Sequence, residues 1–274
     1  MNTSLKNKNA LITGGGSGIG LACAMAFAND GANVVIMGRN GDKLAKAAAE
    51  LEALAPKVTI AMFVGDVGKE EDVKAATDLA ALAGCLDIAV ANAGSGALGP
   101  LLTTEADSWE HVMQTNLTGT FYTFKHAGAA MVKSGGGAIC AISSIAGVRT
   151  HRFMGPYCVS KAGIDMLVQN TADELGSTGV RVNSVRPGLV NTDLASGLLN
   201  TEAVHNDYLD CMPIRRTGEV EDISNAVRFL CGPESSWITG VNLSVDGGHH
   251  LRRGPNVEPI ARAVFGNNLG MDEL

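Results

Sequence analysis

Seven short apolar runs, at residues 9–13, 33–37, 57–64, 86–91, 138–142, 180–185 and 241–245, alternate along the chain with longer, alanine-rich stretches. Several of these runs are apolar at nearly every position, as strands buried on both faces must be. The intervals between them are long enough for crossover helices. An antiparallel sheet with one wet face would alternate polar and apolar residues instead, so the pattern predicts an α/β protein, a doubly wound parallel sheet of about seven strands flanked by helices. Residues 42–54 place Leu44, Ala47, Ala48, Leu51 and Leu54 on one helical stripe, with Asp42 as the expected cap. The two longest predicted helices cover 108–133 and 157–176. No linker, repeat or charge block interrupts the chain, which predicts one domain over 1–248 and a C-terminal extension over 249–274.

Hydrophobic residues make up 46% of the 274 and charged residues 18%, enough apolar material for a large core, and disorder is excluded. A net charge of −7 without a Lys/Arg cluster argues against nucleic acid as a partner. No apolar run approaches the roughly 18–20 residues of a membrane span, and residues 1–9 lack the apolar core of a signal peptide. A cytoplasmic protein with no membrane partner is expected. Six dispersed cysteines form no CxxC pair and read as reduced thiols, while His249-His250 lacks further ligands at metal-binding spacing, so no metal is expected.

The first apolar run leads through Thr13-Gly14-Gly15-Gly16-Ser17-Gly18-Ile19-Gly20 into an alanine-rich stretch. A pyrophosphate needs unhindered backbone N–H groups at a helix N-terminus, and Gly18 and Gly20 leave room for that approach; an ordinary tight turn is the competing reading. The Thr-Gly-x3-Gly-x-Gly spacing resembles the nucleotide loop of the short-chain dehydrogenase/reductase family. Further motifs fall in register with that family: Asp66-Val67, Asn92-Ala93-Gly94, Ser144, Tyr157-x3-Lys161 and Pro187-Gly188-Leu189-Val190-Asn191-Thr192. The resemblance covers about residues 7–248 and implies a Rossmann-type fold, a nicotinamide cofactor and dehydrogenase or ketoreductase activity. Enoyl reductases of the same broad family stretch the Tyr-to-Lys spacing, which is the short one here.

By resemblance, Gly14, Gly16, Ser17, Gly18, Ile19 and Gly20 would cradle the pyrophosphate, Asp66 and Val67 the adenine, and Asn92, Ala93 and Gly94 the middle of the cofactor. Pro187, Gly188, Val190 and Thr192 would grip the nicotinamide amide. A carboxylate at the end of the second run would select NAD through the ribose hydroxyls, but Gly38 stands there, followed by Arg39. NADP(H) is the expected cofactor, with NAD(H) as the alternative.

Hydride transfer to or from an alcohol carbon requires a group that takes or returns the hydroxyl proton, and Tyr157 is the candidate. A free phenol titrates near 10, and Lys161, one helical turn on, is expected to lower it. By resemblance Lys161 also holds the nicotinamide ribose. Ser144, 13 positions before Tyr157, is expected to orient the substrate oxygen, and Asn116 would act through Lys161 in a water-mediated relay.

The stretch 193–217 reads as a mobile apolar lid over a hydrophobic small-molecule substrate, with Arg149, His151 and Arg152 available to a carboxylate or thioester tail. A 3-oxoacyl thioester reductase is the nearest alternative, and a non-catalytic nucleotide sensor or scaffold a distant one. Trp237-Ile238-Thr239-Gly240 and Asp246-Gly247-Gly248 resemble the family's last-strand region, which implies a homotetramer, with a dimer as the alternative. Ile260, Val264, Phe265 and Leu269 suggest an extension that docks across a neighbouring subunit.

Overall fold

The computed structural model describes residues 4–81 and 84–266. Seven strands, β1 (Asn9–Thr13), β2 (Asn33–Gly38), β3 (Ile60–Val64), β4 (Ile88–Ala91), β5 (Gly137–Ile142), β6 (Val180–Pro187) and β7 (Asn242–Val245), form one sheet in the order β3-β2-β1-β4-β5-β6-β7. Every pairing is parallel. The helices are α1 (Gly18–Asn29), α2 (Gly41–Leu54), α3 (Glu70–Ala80), α4 (Ala106–Met113), α5 (Gly119–Ser134), α6 (Gly155–Leu175), α7 (Ser196–Leu199), α8 (Glu202–Cys211), α9 (Val220–Cys231) and α10 (Glu258–Phe265).

Successive residues of a strand point to opposite faces, and β1 divides accordingly. Ala10 and Ile12 pack with α1, α2 and α9, whereas Leu11 packs with α3, α5 and α6. The winding reverses between β1 and β4, whose following helices depart to opposite faces. A crevice therefore opens at the C-terminal ends of these two strands, where ligands of such sheets bind.

The predicted strands all form, with shifts at their ends. The third begins at Ile60 rather than residue 57, because Val58 N–H closes a turn on the Ala55 carbonyl. Asn40, not Asp42, caps α2, its side chain accepting from Lys43 N–H at 2.9 Å. The long helix predicted over 108–133 is divided into α4 and α5 by a π-helical turn over Gln114–Thr118, which places Asn116 fully inside.

A third apolar cluster joins Phe153, Leu189, Val204, Tyr208, Met212, Val257 and Ala261. It seats α10 on α8 of the same chain through Val257 and Ala261. Phe265 reaches Gly99, Val264 is exposed, and Leu269 lies outside the described residues.

A Cβ at Gly20 would collide with the Gly14 carbonyl oxygen and lie 2.5 Å from Asn92 Nδ2. Both obstacles are held by backbone, so relief is costly. Gly20→Ala is expected to lose about 3 kcal/mol of stability, the upper part of the overpacking range, measured as a lower urea midpoint. An unchanged midpoint would show that the turn yields.

Candidate active site

Where β1 and β4 end side by side, their backbones run out of ladder partners and side chains take over. Asn92 and Ala93 N–H donate to Thr13 Oγ1 at 3.0 and 3.2 Å, and Asn92 Nδ2 donates to the carbonyls of Thr13 and Gly14 at 3.0 and 3.1 Å. This fixes the glycine turn, in which Gly14 and Gly18 take positive φ of 66° and 54°. At the start of α1, Ser17 makes no side-chain cap bond and the first turn holds no acid. The helix thus presents its uncapped amides, and its positive dipole end, to the crevice.

That crevice is a cleft of about 320 Å³. It gathers Gly14, Ser17, Gly18 and Ile19 from the turn, Asn92, Ala93 and Gly94 after β4, Ser144, Tyr157 and Lys161, and Pro187, Gly188, Val190 and Thr192 after β6. The other expected residues lie elsewhere. Arg39 and Asp66 share a separate open groove with Gly68, and Val67 is buried against Gly119. Gly16 backs onto Leu44 of α2, and Gly20 supports the turn from behind.

Ser144 caps the short turn after β5, its Oγ accepting from Ala146 N–H at 3.1 Å, and it lines the cleft beside Tyr157. The neighbouring Ser143 instead donates to the Lys161 carbonyl at 3.2 Å. Lys161 Nζ lies 5.6 Å from the centre of the Tyr157 ring and donates to the Ile142 carbonyl at 2.7 Å. Burial pushes its ammonium down to about 8, opposed by Asp165 one turn on. The lowering of Tyr157 expected from Lys161 is not what this geometry gives. Burial pushes the phenol up, and the Ser144 hydrogen bond opposes that.

Asn116 does not line the cleft. Its Oδ1 accepts from Ser95 N–H at 2.7 Å, and its Nδ2 donates to the Ser95 carbonyl and Ser160 Oγ, both at 3.0 Å. A Cβ on Gly94 would lie 3.4 Å from Asn116 Oδ1 and 3.9 Å from Lys161 Nζ, so these two groups face the same glycine. Thr13 and Ser160 join the site without a sequence signal beyond their proximity to the glycines and to the Tyr-Lys pair.

At the outer end the cleft is walled by His151, Met154, Leu189, Leu194, Leu198 and Tyr208. The two arginines expected to meet an anionic tail are engaged elsewhere. Arg149 Nε donates to the His250 carbonyl at 3.0 Å, and Arg152 pairs with Glu258. The expected lid is also clamped at its far helix, where Asp207 accepts from Arg253 and from Asn256 N–H, and Arg252 donates to the Asp210 carbonyl. Among the described residues, no helix is long and apolar enough to cross a membrane.

A family model described as Enoyl-(Acyl carrier protein) reductase matches residues 14–250. The 3-oxoacyl-[acyl-carrier-protein] reductase of Chlamydia muridarum is 38% identical over 250 residues, covering 90% of this chain and 99% of that protein. A solved short-chain type dehydrogenase/reductase from Mycobacterium ulcerans superposes with a TM-score of 0.94 at 42% identity, covering 98% of this chain and 99% of that one. Two further solved relatives are complexes. One is a 7α-hydroxysteroid dehydrogenase with NADH and 7-oxo glycochenodeoxycholic acid, with TM-score 0.85, 35% identity, and coverage of 90% of this chain and 96% of that one. The other is L-sorbose reductase of Gluconobacter frateurii with NADPH and L-sorbose, with TM-score 0.85, 30% identity, and coverage of 91% of this chain and 99% of that one.

The buried lysine makes a stability prediction. Its folded value of about 8 lies below the ordinary 10.5, so between these values the unfolded chain holds the proton that the folded chain has released. Stability therefore rises with pH across that window, and at pH 7 the full penalty is present. Lys161→Met is expected to raise the melting temperature at pH 7 by roughly 5 °C, an advantage that shrinks toward pH 10. Thermal denaturation at both pH values checks this, and a variant that melts no higher at pH 7 would refute it.

Proposed function

The chain belongs to the short-chain dehydrogenase/reductase family, and from that premise we propose that it transfers hydride between a nicotinamide dinucleotide and the carbinol or carbonyl carbon of a mainly apolar secondary alcohol or ketone. It is an oxidoreductase acting on CH–OH groups with NAD(P)(H) as its cofactor. The observation that carries the reading is that Ser144, Tyr157 and Lys161, the last buried one turn on from the tyrosine, line the same cleft that the uncapped end of α1 opens into.

The residues present fit the dinucleotide. The α1 amides at Ser17–Ile19 would hold the pyrophosphate, and a Cβ on Gly18 would project toward Thr192, 3.5 Å from its Cγ2, across the space the group needs. Asp66 and Val67 would bound the adenine, Asn92–Gly94 and Lys161 the nicotinamide ribose, and Pro187, Gly188, Val190 and Thr192 the carboxamide. When bound, the nicotinamide supplies or accepts the hydride. At the substrate oxygen, Tyr157 returns the proton in reduction and takes it in oxidation, while Ser144 donates a hydrogen bond to the charge that develops there. Because burial holds Tyr157 as the phenol, its resting form is the proton donor for reduction. Asn116 positions the Ser95 segment and α6 around Tyr157 and Lys161.

The proposed preference is for NADP(H). It is supported by Gly38 at the end of β2, where no carboxylate would repel a 2′-phosphate, and by Arg39, which is exposed and makes no ion pair among the described residues. A 3-oxoacyl thioester reductase is favoured by the chlamydial relative, but the rim arginines that would meet a phosphorylated tail are tied to the C-terminal segment. A homotetramer or dimer belongs to the same reading, supported by Trp237, 99% exposed near the β7 edge.

Tyr157→Phe is expected to lower kcat by roughly 10²–10⁴ while leaving nucleotide affinity unchanged. Steady-state kinetics beside a fluorescence titration separates the two, and parallel loss of binding would remove Tyr157 from the chemistry. Arg39→Ala should weaken NADPH by about tenfold and leave NADH untouched, as expected for one charge-assisted hydrogen bond. An unchanged NADPH/NADH ratio would make Arg39 a solvated turn residue.

A further inference from the structure

His151 lines the outer end of the cleft and takes no part in the proton chemistry above. It is 5% exposed, and its Nδ1 lies 2.9 Å from the Arg149 carbonyl oxygen. A carbonyl can only accept, so the ring proton sits on Nδ1 and Nε2 carries a lone pair. Nε2 has no hydrogen-bond partner among the described residues. Because the ring lines the cleft, a donor that enters there can pair with this lone pair.

The surroundings decide what that is. Tyr208 and His249 pack on His151 with ring centres 6.1 and 5.9 Å away. His249 is itself fixed through Nε2 on the Arg253 carbonyl at 3.0 Å, which leaves its Nδ1 a buried lone pair without a partner. Burial, reinforced by His249, pushes the His151 imidazole down to about 4, so it is neutral at pH 7. The nearby cations do not compensate: Arg152 stacks over Phe153 at 4.6 Å and pairs with Glu258, and Arg149 is tied to the His250 carbonyl. This wall of the cleft therefore offers an acceptor and no positive charge.

We infer that His151 Nε2 accepts a hydrogen bond from a neutral hydroxyl that the substrate carries beyond its reacting carbon, and that it turns away a carboxylate at the same place. This rests on the proposed oxidoreductase reading and narrows it to hydroxylated molecules on an apolar body. A pocket built to pair a substrate hydroxyl discriminates strongly against analogues that lack it.

Three aryl ketones of similar shape test this: acetophenone, 2-hydroxyacetophenone and phenylglyoxylate, each reduced at its ketone with NADPH and with NADH. Wild type should favour the hydroxyketone over acetophenone in kcat/KM by about tenfold and use phenylglyoxylate least. His151→Leu should bring the hydroxyketone/acetophenone ratio in kcat/KM close to one. His151→Gln, whose amide oxygen can stand near Nε2, should restore the ratio. An unchanged ratio in a folded His151→Leu, or a wild type that prefers phenylglyoxylate, would overturn the role of His151 and leave the oxidoreductase reading intact. Failure of wild type to reduce any of the three with either nucleotide would count against that reading and the inference together.

Discussion

Two neighbouring parallel strands that feed helices on opposite faces must part company at their ends, and the backbone groups exposed there need partners. In this chain Thr13 and Asn92 supply them. One hydroxyl accepts from two consecutive amides, and one carboxamide ties down two consecutive carbonyls. The glycine turn is held to β4 by these bonds, and Gly20 fits beneath it because it has no side chain. The orientation of the α1 amides toward the cleft is thus fixed by Thr13 and Asn92.

The second constraint is a buried cation. Lys161 gives up hydration to sit beneath Tyr157, and the fold compensates in part through the Ile142 carbonyl and through Asp165. Asp165 is held in turn by Arg186 of β6 at 2.8 Å, so the charge balance of the site reaches across the sheet to a residue next to the β6 terminus. Such a chain of charges is expensive to assemble inside a fold. Stability and chemistry make opposite demands on the same ammonium.

Buried parallel strands are written as continuous apolar runs, so the sheet was legible almost residue by residue. Strand ends depended on hydrogen bonds that leave no such pattern, as at Val58 and Ile60. Asn116 stood out as a polar residue within a helical stretch, but the π turn that buries it is a property of the packed α4–α5 pair. The glycine turn and the Tyr157–Lys161 pair have spacings local to one turn and one helix, and with Ser144 they were legible through their resemblance to the family's motifs. The placement of Arg39 and Asp66 in a groove apart from the cleft could not, since it depends on how two loops from neighbouring strands meet. The fate of Arg149 and Arg152 was equally hidden, because their partners lie about a hundred positions along the chain.

Those long-range partners explain the character of the substrate end. The C-terminal segment clamps α8 through Asp207, which places Tyr208 against His151, and the same segment draws two guanidinium groups away from the cleft with a carbonyl and a carboxylate. Without these contacts the 148–154 loop would present cations to an incoming molecule; with them it presents a neutral imidazole fixed as an acceptor. Ser144, in the turn after β5, and Tyr157 and Lys161, on α6, stand outside these contacts. The segment therefore sets which charges line the outer end of the cleft. A fold of this kind can change what it accepts by altering a stretch that contributes no residue to catalysis.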